Sequence, residues 1–212
     1  MSTVLVFAGG DPVSPSLIDE LPTPDYVIAA DSGFVNARAL GYKPDVVVGD
    51  FDSLPDQYDT VDAQRVRHPA AKDHTDLELA FELALHQSPH RIVLVGAEGG
   101  RLDHELAAVA VVCSRRWDSV PEVDWVRRQA ICSVVRQYRR LQGDLGGMVS
   151  LLAVGGDAEG VTTEGLQWAL ADETLPFGSS RGVSNRIVRP EFTIRVRRGT
   201  ILAIVFNESA PA

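Results

Sequence analysis

Two carboxylates one residue apart, Asp50 and Asp52 in Val46-Val47-Val48-Gly49-Asp50-Phe51-Asp52-Ser53, follow a short β-branched run that reads as a buried strand. If the backbone stays extended through Phe51, both side chains point the same way. Two hard anionic groups at one strand end suit Mg2+, which one or two carboxylates commonly hold while waters and substrate phosphates complete its shell. Asp-x-Asp alone also serves nucleotide-sugar transferases, aspartyl phosphatases and plain turn caps, so the pair needs company. It has company in Lys72-Asp73-His74-Thr75-Asp76-Leu77-Glu78, directly before the strongest helical pattern of the chain. Thr75 and Glu78 read as a capping box, and Asp76 fits either dipole compensation or metal ligation. Lys72, Asp73 and Asp76 crowd one helix N-terminus, where free N–H groups favour phosphate. Lys72 and Lys43 are the only lysines in a chain that otherwise uses arginine, and a compact ammonium among acids suits a phosphate. A third cluster, Gly96-Ala97-Glu98-Gly99-Gly100-Arg101-Leu102-Asp103-His104, offers glycine N–H groups and an Arg101 fork to an anion. No Gly-Lys-Ser/Thr follows it, so it is not a P-loop. Asp103 reads as a cap or a site-facing acid, and His104 as a helix-surface or packing residue.

These clusters must be carried by strand ends and helix starts. Runs over residues 3–8, 25–30, 45–48 and 91–95 lack polar alternation, as strands buried on both faces do. Helical patterns separate them, clearest over 76–86, where Leu77, Ala80, Phe81 and Ala84 share a face. Such alternation predicts an α/β layer with a mostly parallel sheet, whose ligands bind beyond the carboxyl ends of the strands. From about residue 122 the helical pattern fades. Residues 149–154, 193–196 and 201–206 read as strands of a small antiparallel domain, with Arg198-Gly199-Thr200 as a hairpin turn. The boundary falls between 116 and 147, and we divide the chain into 1–125 and 126–212. Five arginines and no acid over 127–140 read as a solvated face of strand or linker.

Composition narrows the partners. A chain of 212 residues with 45% hydrophobic and 23% charged residues has the makings of a packed core. Its net charge of −9 repels a nucleic-acid backbone. The same field repels ATP unless divalent cations or clustered Arg and Lys neutralise it. Cys113 and Cys132 show no metal-ligand spacing and read as buried thiols in a reducing cytoplasm. The N-terminus lacks a basic segment and a long apolar run, so neither export nor a membrane anchor is expected. No apolar stretch approaches the ~20 residues of a membrane helix.

Taken together, Ala30-Asp31-Ser32-Gly33, the Gly49–Ser53 and Lys72–Glu78 segments and Gly99–His104 resemble the thiamine pyrophosphokinase (thiamine diphosphokinase) family. Ser150-Leu151-Leu152, Gly160-Val161-Thr162-Thr163-Glu164-Gly165-Leu166 and Gly182-Val183-Ser184-Asn185 continue the likeness in the family's order, over nearly the whole chain. The family usually has a second glycine where Ser32 stands and an asparagine where Ala108 stands. The resemblance implies a Rossmann-like α/β catalytic domain holding Mg-ATP, then a smaller β-sandwich-like thiamine-binding domain. It also implies a homodimer with active sites at the subunit interface. The implied reaction moves the terminal diphosphate of ATP to the hydroxyl of thiamine, leaving AMP.

Asp50, Asp52 and Asp76 are the expected Mg2+ ligands, and Lys72 and Arg101 the expected phosphate-neutralising cations. Gly9, Gly10, Asp31, Ser32, Gly33, Asp73, Thr75 and Asp103 are expected around the nucleotide. For thiamine the family pattern points to Trp168, whose face suits a cationic ring, and to Ser184 and Asn185. Three other readings stay open on residues alone: a related diphosphokinase acting on a pterin alcohol, a phosphatase with Asp50 as nucleophile, and a nucleotide or thiamine sensor without turnover.

Overall fold

A computed structural model describes residues 2–51, 63–67 and 73–207. The chain divides into two compact units, Met1–Arg128 and Gln129–Ala212.

The first unit runs β1 (Thr3–Phe7), β2 (Tyr26–Ala30), α1 (Gly33–Ala39), β3 (Val46–Gly49), β4 (Gln64–Arg67), α2 (Asp76–Leu85), β5 (Arg91–Val95), α3 (Leu102–Cys113) and β6 (Glu122–Val126). Its strands lie in the order β6-β5-β1-β2-β3-β4, and every neighbouring pair is parallel. The apolar runs of β1, β2, β3 and β5 are buried along almost their whole length, as their lack of alternation requires. Each buried Val, Leu or Ile contributes roughly 1.5–3 kcal/mol. In α2 the buried face is Leu79, Ala80, Phe81 and Ala84, while Leu77 stays half-buried. Phe81 meets the buried Trp117 ring at a centroid distance of 5.4 Å. The order of strands reverses at β1, between β2 and β5, and that switch point is where an open α/β sheet leaves a crevice.

The second unit is all β: β7 (Ala130–Val135), β8 (Tyr138–Gln142), β9 (Met148–Ala153), β10 (Ala158–Glu164), β11 (Glu173–Leu175), β12 (Asn185–Arg186), β13 (Glu191–Arg195) and β14 (Ile201–Phe206). Two antiparallel sheets, β12-β9-β14-β7 and β11-β10-β13-β8, enclose a core that includes Val149, Leu151, Val161, Ile187, Phe192 and Ile194. This is the expected β-sandwich-like architecture.

Two local expectations fail. Arg198-Gly199-Thr200 is not a hairpin, because β13 pairs with β8 and β10 whereas β14 pairs with β7 and β9. The segment crosses between sheets, pinned by a bridge from Arg198 to Glu159 and by the Val154 N–H donating to Thr200 O at 3.0 Å. The 127–140 arginines are not one solvated face either. Arg139 is buried and Arg127 is half-buried between two glutamates, while Arg128 and Arg140 remain exposed.

Candidate active site

The carboxyl ends of the parallel strands open onto a cavity of about 590 Å3. Gly9 and Gly10 reach it after β1, Asp31 and Ser32 after β2, Asp50 after β3, and Gly99 to Arg101 after β5. Asp73, Thr75 and Asp76 arrive with the start of α2, and His104 and Glu105 with the start of α3. The N-terminal ends of two helices therefore border one cavity, and their exposed N–H groups favour a polyanion.

The turns that deliver these residues are strained. Asp31, Phe51 and Ala97 have φ of 45°, 68° and 55° just beyond β2, β3 and β5. Non-glycine residues in the left-handed region cost about 1–3 kcal/mol each and persist where the surroundings demand them. Phe51 also corrects the expectation of an extended Asp50–Asp52 segment: its backbone turns left-handed, so simple strand alternation does not set where Asp52 points. Gly10 has φ 116°, and a Cβ there would lie 2.5 Å from Glu98 O, so only glycine lets the β1 and β5 loops approach this closely. The Asp11 N–H donates to Glu98 O at 2.7 Å and the Ala97 N–H to Gly9 O at 2.8 Å, fusing the two loops.

The capping box is present: Thr75 Oγ1 accepts from Glu78 N at 3.3 Å, and the Glu78 carboxylate accepts from Thr75 N at 3.2 Å. Glu78 also pairs with Arg116 at 3.1 Å. Arg101 is exposed and forked onto Asp103, at 3.1 Å from Nε and 2.6 Å from Nη2. That hydrogen bond holds the Asp103 carboxyl below the usual carboxylate range and raises Arg101. Any phosphate reaching Arg101 competes with Asp103 for the same fork. Asp103 itself and Gly33 do not line the cavity; Gly33 is buried at the start of α1 against the end of β1. Asp52 and Lys72 lie outside the described residues. Among the described residues no three potential ligands gather tightly enough to cage a metal. The donor set at the cavity, Asp50 and Asp76 with room for phosphate beside them, fits Mg2+ in its usual mode of one or two carboxylates rather than an all-protein cage.

In the second unit, Trp168, Ser184 and Asn185 come together around a pocket of about 670 Å3, with Leu151, Gln167 and Arg181 also at its wall. Trp168 is exposed, with 57% of its surface open. Asn185 is buried and its amide holds the Trp168 backbone: Oδ1 accepts from Trp168 N at 3.1 Å and Nδ2 donates to Trp168 O at 2.8 Å. Ser184 is left-handed at φ 61°, its N–H donating to the buried Ser150 Oγ at 3.1 Å.

Two family profiles match, one for each unit. "Thiamin pyrophosphokinase, catalytic domain" covers residues 19–121 and "Thiamin pyrophosphokinase, vitamin B1 binding domain" covers 135–201. The chain belongs to the thiamine pyrophosphokinase family. The family's known reaction transfers diphosphate from ATP to thiamine, and an enzyme of that type is what the relatives support. Thiamine pyrophosphokinase of Bacillus subtilis (strain 168) is 25% identical over 215 residues, spanning 96% of this chain and 98% of that protein. Thiamine pyrophosphokinase 3 of Oryza sativa subsp. japonica is 30% identical over 173 residues, 72% of this chain and 61% of that one. The crystal structure of thiamin pyrophosphokinase from Geobacillus thermodenitrificans superposes with a TM-score of 0.81 at 27% identity, covering 99% of each chain. Among the described residues, no helix is long and apolar enough to cross a membrane.

Within this family fold, sequence reasoning missed three supporting residues. Asn36 is buried in α1 and donates from Nδ2 to Ala8 O at 2.9 Å, steadying the start of the glycine turn after β1. Glu105 lines the cavity, and Arg181, paired with Glu173, lines the second-unit pocket. The only sequence signal for Asn36 is a polar residue on the inward side of a short helix.

Proposed function

We propose that the family's transfer is performed with Mg-ATP in the first-unit cavity and thiamine in the second-unit pocket, yielding thiamine diphosphate and AMP. The observation that carries this reading is the convergence of Asp50, Asp76, the Gly9-Gly10 turn, Asp31-Ser32 and Arg101 on one cavity at the carboxyl ends of the sheet. The thiamine hydroxyl oxygen attacks the β-phosphorus, the bond to the α,β-bridging oxygen breaks, and AMP leaves with that electron pair. Asp50, Asp52 and Asp76 would hold Mg2+, directly or through waters. The ion would supply charge neutralisation on the transferred diphosphoryl oxygens. Lys72 and Arg101 add positive charge, and an aspartate of the cluster takes the hydroxyl proton. In-line positioning and electrostatics then account for the rate, since the protein forms no covalent bond.

The vitamin B1 binding profile over 135–201 favours thiamine over a pterin alcohol as acceptor. We further propose a homodimer with active sites at the subunit interface, acting in the cytoplasm without nucleic-acid or membrane partners; the burial of Cys113 and Cys132 accords with thiols in a reducing compartment.

Incubation with ATP, Mg2+ and thiamine, followed by chromatography, tests the reading. Equimolar AMP and thiamine diphosphate are expected, with turnover lost on chelation by EDTA and restored by excess Mg2+. ADP with thiamine monophosphate would place the attack at the γ-phosphorus and overturn the mechanism, and turnover that survives chelation would remove the metal from it. No thiamine product would point to another acceptor or a sensor.

Trp168→Ala is expected to raise KM for thiamine about tenfold through loss of its cation–π face, with KM for ATP unchanged. Equal KM values for thiamine in the two proteins would take Trp168 out of the vitamin site.

A further inference from the structure

The cavity proposed for ATP has an acid in its wall that ought to repel a triphosphate. Glu105 lines it, and Glu98 lies in the adjoining glycine turn. Both carboxylates are answered from behind by one residue, Arg127, which follows β6. Its Nε lies 3.3 Å from Glu98 Oε2 and its Nη2 pairs with Glu105 Oε1. Its guanidinium carbon sits 4.4 Å from the centre of the buried Trp125 ring, which fixes the plane of the fork. The side chains of Arg127 and Glu98 are only 26% and 13% exposed, so solvent screens the pair weakly.

The two acids in turn hold backbone. Glu105 Oε2 accepts from the Gly99 N–H at 3.3 Å, and Glu98 Oε1 accepts from the Arg128 N–H at 2.9 Å. We propose that Arg127 is a positioning residue for the nucleotide: it neutralises Glu98 and Glu105 and, through Glu105, sets the Gly99 turn that faces the phosphates. The inference rests on the reading that this cavity takes ATP. Arg127 does not itself line the cavity.

Calorimetric Mg-ATP binding and steady-state kinetics on the full chain test it. Arg127→Gln is expected to raise both Kd and KM for Mg-ATP about tenfold or more, leaving KM for thiamine unchanged. Adding Glu105→Gln to that variant should recover part of the loss, because the uncompensated charge on the cavity wall is gone, leaving only that of Glu98, while an amide oxygen still accepts from Gly99. Arg127→Lys, which keeps one positive charge in place, also keeps the test open if Arg127→Gln fails to fold: its Kd for Mg-ATP should rise less than tenfold, with KM for thiamine unchanged. A loss in Arg127→Gln that Glu105→Gln does not relieve at all, a loss in Arg127→Lys as large as that in Arg127→Gln, or equal losses for both substrates in either variant would overturn the inference. Wild-type binding matched by Arg127→Gln would sink this inference alone. Wild-type protein that binds no Mg-ATP would sink the functional reading and this inference with it.

Discussion

Asp50→Asn should leave the protein folded and reduce kcat roughly 10²–10³-fold, the scale on which preorganised electrostatic groups act at a charged transition state. Asp50 stands just past β3, half-buried at the cavity wall and outside the apolar core. The substitution keeps its shape and removes its charge, so the oxygen donor proposed for Mg2+ weakens while packing stays the same. Thermal unfolding should stay within about 0.5 kcal/mol of wild type, as at surface positions. Turnover near the wild-type value would remove Asp50 from the mechanism.

Gly33→Ala is expected to act on stability. A Cβ at Gly33 would lie 2.1 Å from Phe7 O and 2.8 Å from Ala8 Cα, both backbone atoms at the end of β1. Neither can swing aside as a side chain would, so α1 or the strand end must shift. Such overpacking costs about 3 kcal/mol, which in a chain of this size lowers Tm by roughly 6–12 °C. The shift also moves Ser32, whose Oγ would lie 2.1 Å from a Cβ at Gly9, so the cavity turn proposed to hold the nucleotide loosens with it. A differential scanning experiment that finds an unchanged Tm would contradict this account of Gly33.

Gly33 illustrates how a motif can flag the right neighbourhood without giving each residue's place in it: Asp31 and Ser32 line the cavity and Gly33 does not. Its motif suggests a nucleotide-lining turn, yet the residue is buried as a packing glycine. The strands Thr3–Phe7, Tyr26–Ala30, Val46–Gly49 and Arg91–Val95 were legible because burial on both faces leaves an uninterrupted apolar run. β4 was not, because Gln64-Arg65-Val66-Arg67 is an edge strand with three exposed residues and no apolar pattern. β6 hides a fully buried Asp124, which breaks its apolar run and pairs with Arg91 of β5, 33 positions earlier in the chain, at 2.7 Å. The turn at 198–200 shows a related limit: local chemistry announces that the chain reverses but not whether the flanking strands pair or part. The cavity residues were found through motif chemistry. Arg127 was passed over because its two partners are 29 and 22 positions away.

The parallel order of the first sheet has a temporal consequence. β1 is made first, but its register with β5 joins Thr3 to Arg91, so one edge of that central strand waits for most of the first unit to be synthesised. Closing so long a loop costs entropy before any pairing rewards it, which places the step late on the folding pathway. The crevice between the Gly9-Gly10 and Gly99-Gly100 turns comes into being only at that step. A nascent or nicked chain that has formed β1, β2 and β3 alone thus carries Asp31 and Asp50 but lacks the opposing wall, and the nucleotide capture proposed for this cavity would be a late marker of maturation.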